Sequence, residues 1–300
     1  MSFADAAIAR MRGPRNMHII CVDVTNKCDL ACSNCTRLLE NQNHFWDMTL
    51  DNFRLAIRSL KDFHGIIAML GGNPCMHKNF EELCRIFVEE IPNKFQRGLW
   101  TNNFFKHEDL CLETFGTFNL NPHGEARAEE KLNMFGEKAL AAGNLVWSYR
   151  GNSHHAPILT AVKDLFPESE MWNRIENCDI NKEWSASIVQ NKGELRAYFC
   201  EVAASFDLAV GGDSGHLVTE GWWKKHITEF SDQVKKFCPG CGVPAKQKAH
   251  IDSAETDTYT GSNADLALKS QKNKGRKIVL LDVNDKEELI KRVTLYNSGH

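Results

Sequence analysis

The sequence has no long apolar run. Nowhere does it approach the ~18 consecutive apolar residues that a membrane-spanning helix needs. It also has no large excess of one charge: 36 Lys and Arg stand against 39 Asp and Glu, for a net charge of −3. That balance argues against a strongly basic nucleic-acid binder or a polybasic membrane protein, while leaving room for a local patch. Residues 1–17 mix small, apolar and Arg residues without the apolar core of a signal peptide. No segment recurs at the period of a solenoid. What remains is an ordinary soluble composition, 42% hydrophobic and 25% charged over 300 residues, enough for one large domain or two modest ones. The expected location is the cytoplasm.

Cysteine, by contrast, is abundant. There are 11, an odd number in a chain that is not short, so in the cytosol the set reads as metal binding rather than as disulfides. Three of them, Cys28, Cys32 and Cys35, form a C-x3-C-x2-C spacing just after the apolar run His18 to Thr25 (HIICVDVT). Iron–sulfur clusters are held by Cys thiolates, and a cubane offers four irons. Three closely spaced thiols would therefore leave one iron open to a small molecule. The competing reading is zinc, which also accepts clustered Cys but wants a fourth ligand. Asp29, Asn34 and His44 are poor or distant candidates for that place.

Around this loop the pattern alternates. Apolar, β-branched stretches at His18 to Thr25, Gly65 to Leu70, Arg97 to Thr101, Thr117 to Leu120 and Asn144 to Tyr149 read as buried strands. Between them, Leu50, Phe53, Ile57 and Leu60 repeat at helical spacing behind Thr49 as N-cap, and Phe80, Leu83, Phe87 and Ile91 do the same. Arg127 to Ala142 reads as a helix closed by Gly143, and Ala156 to Phe166 as another, stopped by Pro167. The rhythm predicts βαβ units and a parallel sheet, an α/β fold with its chemistry at the carboxyl ends of the strands.

The cysteine triplet resembles the signature of the radical S-adenosylmethionine (SAM) superfamily. Gly71-Gly72-Asn73-Pro74, one βα unit later, resembles that family's GGEP motif, with Asn73 in place of the usual Glu. The resemblance implies a partial (β/α)6 barrel over roughly residues 16–170. It also implies a [4Fe–4S] cluster on Cys28, Cys32 and Cys35 whose open iron chelates the amine and carboxylate of SAM. An electron from the cluster would cleave the sulfonium to a 5′-deoxyadenosyl radical. Gly71, Gly72 and Asn73 would hold the SAM amino group largely through backbone. Asn102 (in Thr101-Asn102-Asn103), Ser148 and Arg150 resemble positions near SAM ribose and carboxylate, and an Arg fork suits a carboxylate. Each of these three could equally be a cap or a solvated strand end. Asn119 and His123 end the weak fourth strand and read more readily as a turn than as substrate contacts. The residue before the third cluster Cys, usually aromatic, is here Asn34.

The second half carries Cys178, Cys200 and the pair Cys238 and Cys241. Ser187 to Cys200 reads as two strands around an Asn191-Lys192-Gly193 turn. A Cys before a hairpin, one closing it and a downstream C-x2-C resemble the auxiliary-cluster extensions named SPASM and Twitch. Four Cys suffice for a second, fully ligated [4Fe–4S] cluster. Cys238-Pro239-Gly240-Cys241 looks equally like a zinc knuckle. Cys21 and Cys84 fall in apolar patterns and read as core, while Cys75 and Cys111 stay unassigned. From about Ile251 the chain turns polar, a loop or extended wrap. Lys269, Lys272, Lys274, Arg276 and Lys277 form a basic run, read as a solvated linker with phosphate contact as the minor alternative. A strand at Ile278 to Val283 and a helix at Lys286 to Leu295 close the pattern. The expected division is 1–17 as an extension, 18–170 as the barrel, 171–250 as the auxiliary-cluster region and 251–300 as a tail.

The expected function is a radical SAM enzyme abstracting hydrogen from a small polar substrate, with a flavodoxin- or ferredoxin-like electron donor. Only about seventeen residues precede the first strand, which disfavours the peptide-modifying relatives. Those relatives and nucleotide or nucleic-acid modification stand as alternatives. From another class, the chain could be a non-catalytic iron–sulfur electron carrier or a zinc scaffold; an electron carrier has no use for Gly71-Gly72 or an open iron.

Overall fold

The computed structural model describes residues 2–123, 126–148, 155–183, 185–247, 254–285 and 287. Helix α1 (Phe3–Ile8) opens the chain, with the Ser2 hydroxyl accepting from the Asp5 N–H. Strand β1 (Ile19–Thr25) follows, and all seven of its residues are buried. Its side chains divide by the two-residue period of a strand. Ile20, Val22 and Val24 join the main core, while Ile19 and Cys21 meet Ala68 and Trp100 on the opposite face.

Four βα units continue the pattern. Helix α2 (Leu50–Ser59) starts at Thr49, whose hydroxyl accepts from the Asn52 N–H, and it buries Phe53, Ala56 and Ile57. Then come β2 (Ile66–Gly71), α3 (Phe80–Glu90), β3 (Arg97–Thr101), α4 (Glu108–Thr114), β4 (Thr117–Leu120), α5 (Ala126–Ala141) and β5 (Leu145–Ser148). Gly143 takes the left-handed conformation (φ +81°) after α5, where a side chain would be strained. Helix α6 is only Val162–Leu165, shorter than its sequence pattern suggests. Its expected first turn is spent elsewhere. The Ile158 carbonyl accepts from the Gly242 N–H, the Leu159 carbonyl from the Thr260 N–H, and the Ala161 N–H donates to the Thr260 hydroxyl.

Helices α7 (Glu168–Glu176) and α8 (Asp179–Glu183) lead to β6 (Ser185–Asn191), β7 (Glu194–Tyr198), α9 (Glu201–Val210), β8 (His216–Leu217) and α10 (Ser231–Phe237). The strand order is β5-β4-β3-β2-β1-β6-β7-β8. Neighbours from β5 to β6 are all parallel, and the last two pairings are antiparallel. The expected hairpin is thus β6 and β7, and its first strand completes a six-stranded parallel β/α array, the architecture of the expected partial barrel. The sheet therefore extends past residue 170.

The polar stretch after Ile251 contains a strand rather than only loop. Strand β9 (Thr256–Tyr259) pairs in parallel with β10 (Lys277–Leu280) around helix α11 (Ala264–Lys274). The basic run is mostly helix and not linker. The helix expected at 286–295 lies outside the described residues, save residue 287. No helix among the described residues is long and apolar enough to cross a membrane.

Candidate metal centres

Strand β1 delivers the chain at Thr25 to the carboxyl edge of the parallel array, and the three-cysteine loop begins there. Its base is anchored. Thr25 donates to the Asp47 carboxylate at 2.7 Å, Lys27 Nζ pairs with Asp47 at 2.6 Å, and Asn26 Nδ2 donates to the His44 carbonyl at 2.8 Å. The end of β2 closes on the same base. The Gly72 N–H donates to the Thr25 carbonyl and the Asn73 N–H to the Lys27 carbonyl, each at 2.7 Å. Only glycine permits that approach: a Cβ at Gly72 would stand 2.1 Å from the Lys27 oxygen.

The end of β3 meets the loop through Asp29, whose two oxygens accept from Asn102 Nδ2 and Asn103 Nδ2, each at 3.1 Å. Asn73 is fully buried. Its side chain accepts from the Thr101 hydroxyl and the Cys75 N–H and donates to the Asn103 carbonyl. The Asn in place of Glu therefore ties the end of β2 to that of β3. Cysteine loop, glycine pair and asparagine pair converge on one edge of the sheet.

Burial pushes the Cys28 thiol up to about 12, with Cys35 and Asp29 adding to the rise, and burial likewise raises Cys35. Thiols kept protonated by burial become thiolates when a metal takes the proton's place. The donor set fits iron–sulfur or zinc equally on chemistry alone. Two of the residues weighed as a fourth zinc ligand, Asp29 and Asn34, are engaged otherwise. Asp29 holds the asparagine pair, and Asn34, buried in the left-handed region at φ +53°, bonds the Thr258 N–H through its Oδ1.

Cys178, Cys200, Cys238 and Cys241 line one small cavity of about 30 Å³, whose remaining wall is mainly apolar and includes Ile175, Phe199, Phe206 and Phe237. Burial raises all four thiols, Cys200 to about 12, and Cys200, Cys238 and Cys241 are raised further by the charge of others in the set. Among the described residues, no three His, Cys, Asp or Glu side chains are gathered closely enough to hold a metal ion. Four thiolates are the number that a tetrahedral zinc or a fully ligated [4Fe–4S] cluster takes.

Two groups near these thiols carry no motif signal. Arg37, two residues after Cys35, donates to Glu201 at 2.9 Å, and Glu201 directly follows Cys200. Arg37 also lies 3.8 Å from Asp23 on β1. Burial works against the Arg37 charge, yet Asp23 and Glu201 together raise its pKa. One guanidinium thus links the two thiol sets. The second group is Asp257 on β9 with Arg276 just before β10, which packs on the cysteine loop from the tail.

Other expected residues fall differently. Ser148 ends β5, the outermost strand, where its backbone pairs with Leu120. Arg150 lies outside the described residues. Asn119 is buried on β4, and the His123 ring lies 5.3 Å from that of His155. Cys21 and Cys84 are core, as expected, and Cys75 and Cys111 join them there.

Fold and site together define an α/β protein with a three-thiol loop at the carboxyl edge of a parallel array and a four-thiol cavity beside it. Neither a protein-family model nor a curated protein matches the chain. Among solved structures it is similar to BtrN in complex with AdoMet and 2-DOIA, at 18% identity and a TM-score of 0.48, covering 75% of this chain and 92% of that one. It is also similar to Streptococcus suis SuiB bound to the precursor peptide SuiA, at 13% identity and a TM-score of 0.43, covering 80% and 72%. Likenesses at this level carry no functional weight, and the function has to be read from the site itself.

Proposed function

We propose that the chain is a radical SAM enzyme acting on a small polar substrate. One observation carries the reading: the three-cysteine loop, the Gly71-Gly72 approach and Asn102 meet at the carboxyl ends of β1, β2 and β3. An electron carrier or zinc scaffold has no use for that convergence. Cys28, Cys32 and Cys35 would hold a [4Fe–4S] cluster, and Gly71, Gly72, Asn73, Asn102, Ser148 and Arg150 would seat SAM. When bound, the cluster and SAM supply a 5′-deoxyadenosyl radical by one-electron cleavage of the sulfonium. The chain's part is placement. Asp29 fixes the loop against Asn102 and Asn103.

The four-thiol cavity would take a second [4Fe–4S] cluster, in keeping with its four Cys donors. A flavodoxin- or ferredoxin-like protein would supply the electron. The test is anaerobic reconstitution, then strong reductant with SAM. The expected result is 5′-deoxyadenosine and methionine from the wild type and none from Cys32→Ala. Wild-type protein that binds SAM yet never yields 5′-deoxyadenosine, with or without candidate substrates, would leave the carrier reading standing.

A further inference from the structure

The tail reaches back to the cysteine loop with unusual completeness. Arg276 and Asp257 are both buried, their side chains 2% and 6% exposed. Arg276 Nε donates to Asp257 Oδ2 at 2.9 Å and Nη2 to Oδ1 at 3.1 Å, a two-pronged pair. The outer face of the same guanidinium donates to the Ala31 carbonyl at 2.7 Å and the Cys32 carbonyl at 3.1 Å. Asp257 in turn accepts from the Asn34 N–H at 2.7 Å. Strand β9 adds two more ties: the Thr256 N–H donates to the Ser33 hydroxyl at 2.9 Å and the Thr258 N–H to Asn34 Oδ1 at 3.3 Å. All four loop residues from Ala31 to Asn34 are thus held by this one small unit.

We propose that Asp257 and Arg276 are positioning residues for the Cys28–Cys35 loop, setting its backbone so that Cys32 and Cys35 face a common cluster. This rests on the proposed cluster at those cysteines. A pair serving only to brace the tail has no need to reach the loop's carbonyls, and burying two charges is a poor route to stability in itself. The fork geometry also selects arginine. Lysine, a point charge on a flexible stem, cannot bond both Asp257 oxygens and two carbonyls at once.

The test compares wild type with Arg276→Lys and Asp257→Asn in the full chain. In metal-free protein, amide hydrogen exchange at Ser33 and Asn34 should quicken roughly ten- to hundredfold in Arg276→Lys, as expected for losing charge-assisted bonds. Exchange along β2 should stay unchanged. In reconstituted protein, the cluster signal that responds to SAM should broaden, and iron at that site should be lost to a chelator about 10–100-fold more readily. Asp257→Asn, nearly isosteric, should show the same changes in smaller measure, and it answers the question if Arg276→Lys does not fold. Unchanged loop exchange in a folded variant overturns the proposal, even where the melting temperature drops. A wild type that takes up no SAM-responsive cluster overturns the enzymatic reading instead, and the exchange measurement on metal-free protein still decides the positioning role.

Discussion

Asp23 is a buried carboxylate on the wholly buried strand β1, with Arg37 at 3.8 Å. Burial raises its carboxyl to about 6 against the relief that Arg37 provides, and Glu201 adds to the rise. The folded chain therefore binds this proton more tightly than the unfolded chain, whose Asp titrates near ~3.9. The stability that Asp23 contributes is complete below that value and is lost as pH climbs through about 6. Asn cannot ionise, so Asp23→Asn should flatten the fall in stability between roughly pH 4 and 7. The separation from wild type should reach on the order of 2–3 kcal/mol. Denaturant unfolding at several pH values checks this, and parallel curves for the two proteins would show that Arg37 keeps Asp23 ionised throughout.

The element that carries Cys200 is the hairpin β6–β7 with helix α9, and a single buried carboxylate pins it. Asp207 on α9 accepts from the Tyr198 hydroxyl at 2.7 Å and from the Ser214 N–H at 2.6 Å. Tyr198→Phe removes one of these donors inside the core, which should lower stability by about 1–3 kcal/mol. A shifted urea midpoint at constant slope is the expected signature. No shift would mean that the tie contributes nothing net. The hairpin itself was legible in sequence, because alternation and an Asn-Lys-Gly turn are local signals. That β6 lies beside β1 was not, since a strand's partner is a tertiary fact. Strands β1 to β5 and helices α2 and α3 were legible for the same local reason, down to the Thr49 cap. Helix α9 (EVAASFDLAV) was missed because it is buried almost all round and so shows no amphipathic stripe. Asp257 and Arg276 were hidden in a polar stretch and a basic run that local pattern assigns to solvent, and only their meeting across the fold makes them core.

For the whole molecule, the two thiol sets make a joint prediction about metal. Full-length protein reconstituted anaerobically should hold about eight irons, as two cubanes require. A variant with Cys28, Cys32 and Cys35 all changed to Ala should stay folded and keep about four. Zinc alone in that variant would return Cys238 and Cys241 to the knuckle reading, and no metal at all would leave the four-thiol cavity merely packed. The tail's grip on the loop has a further consequence, in the order of events at the ribosome. Asn34 meets Asp257 across 223 residues and Ala31 meets Arg276 across 245. At ~5–20 residues per second, the loop emerges roughly ten to fifty seconds before its partners exist. During that interval the thiols stand in a loop whose far wall has not been made. On the proposed cluster assignment, iron would be inserted only after Arg276 has been made, and whatever delivers it would have to wait for the tail.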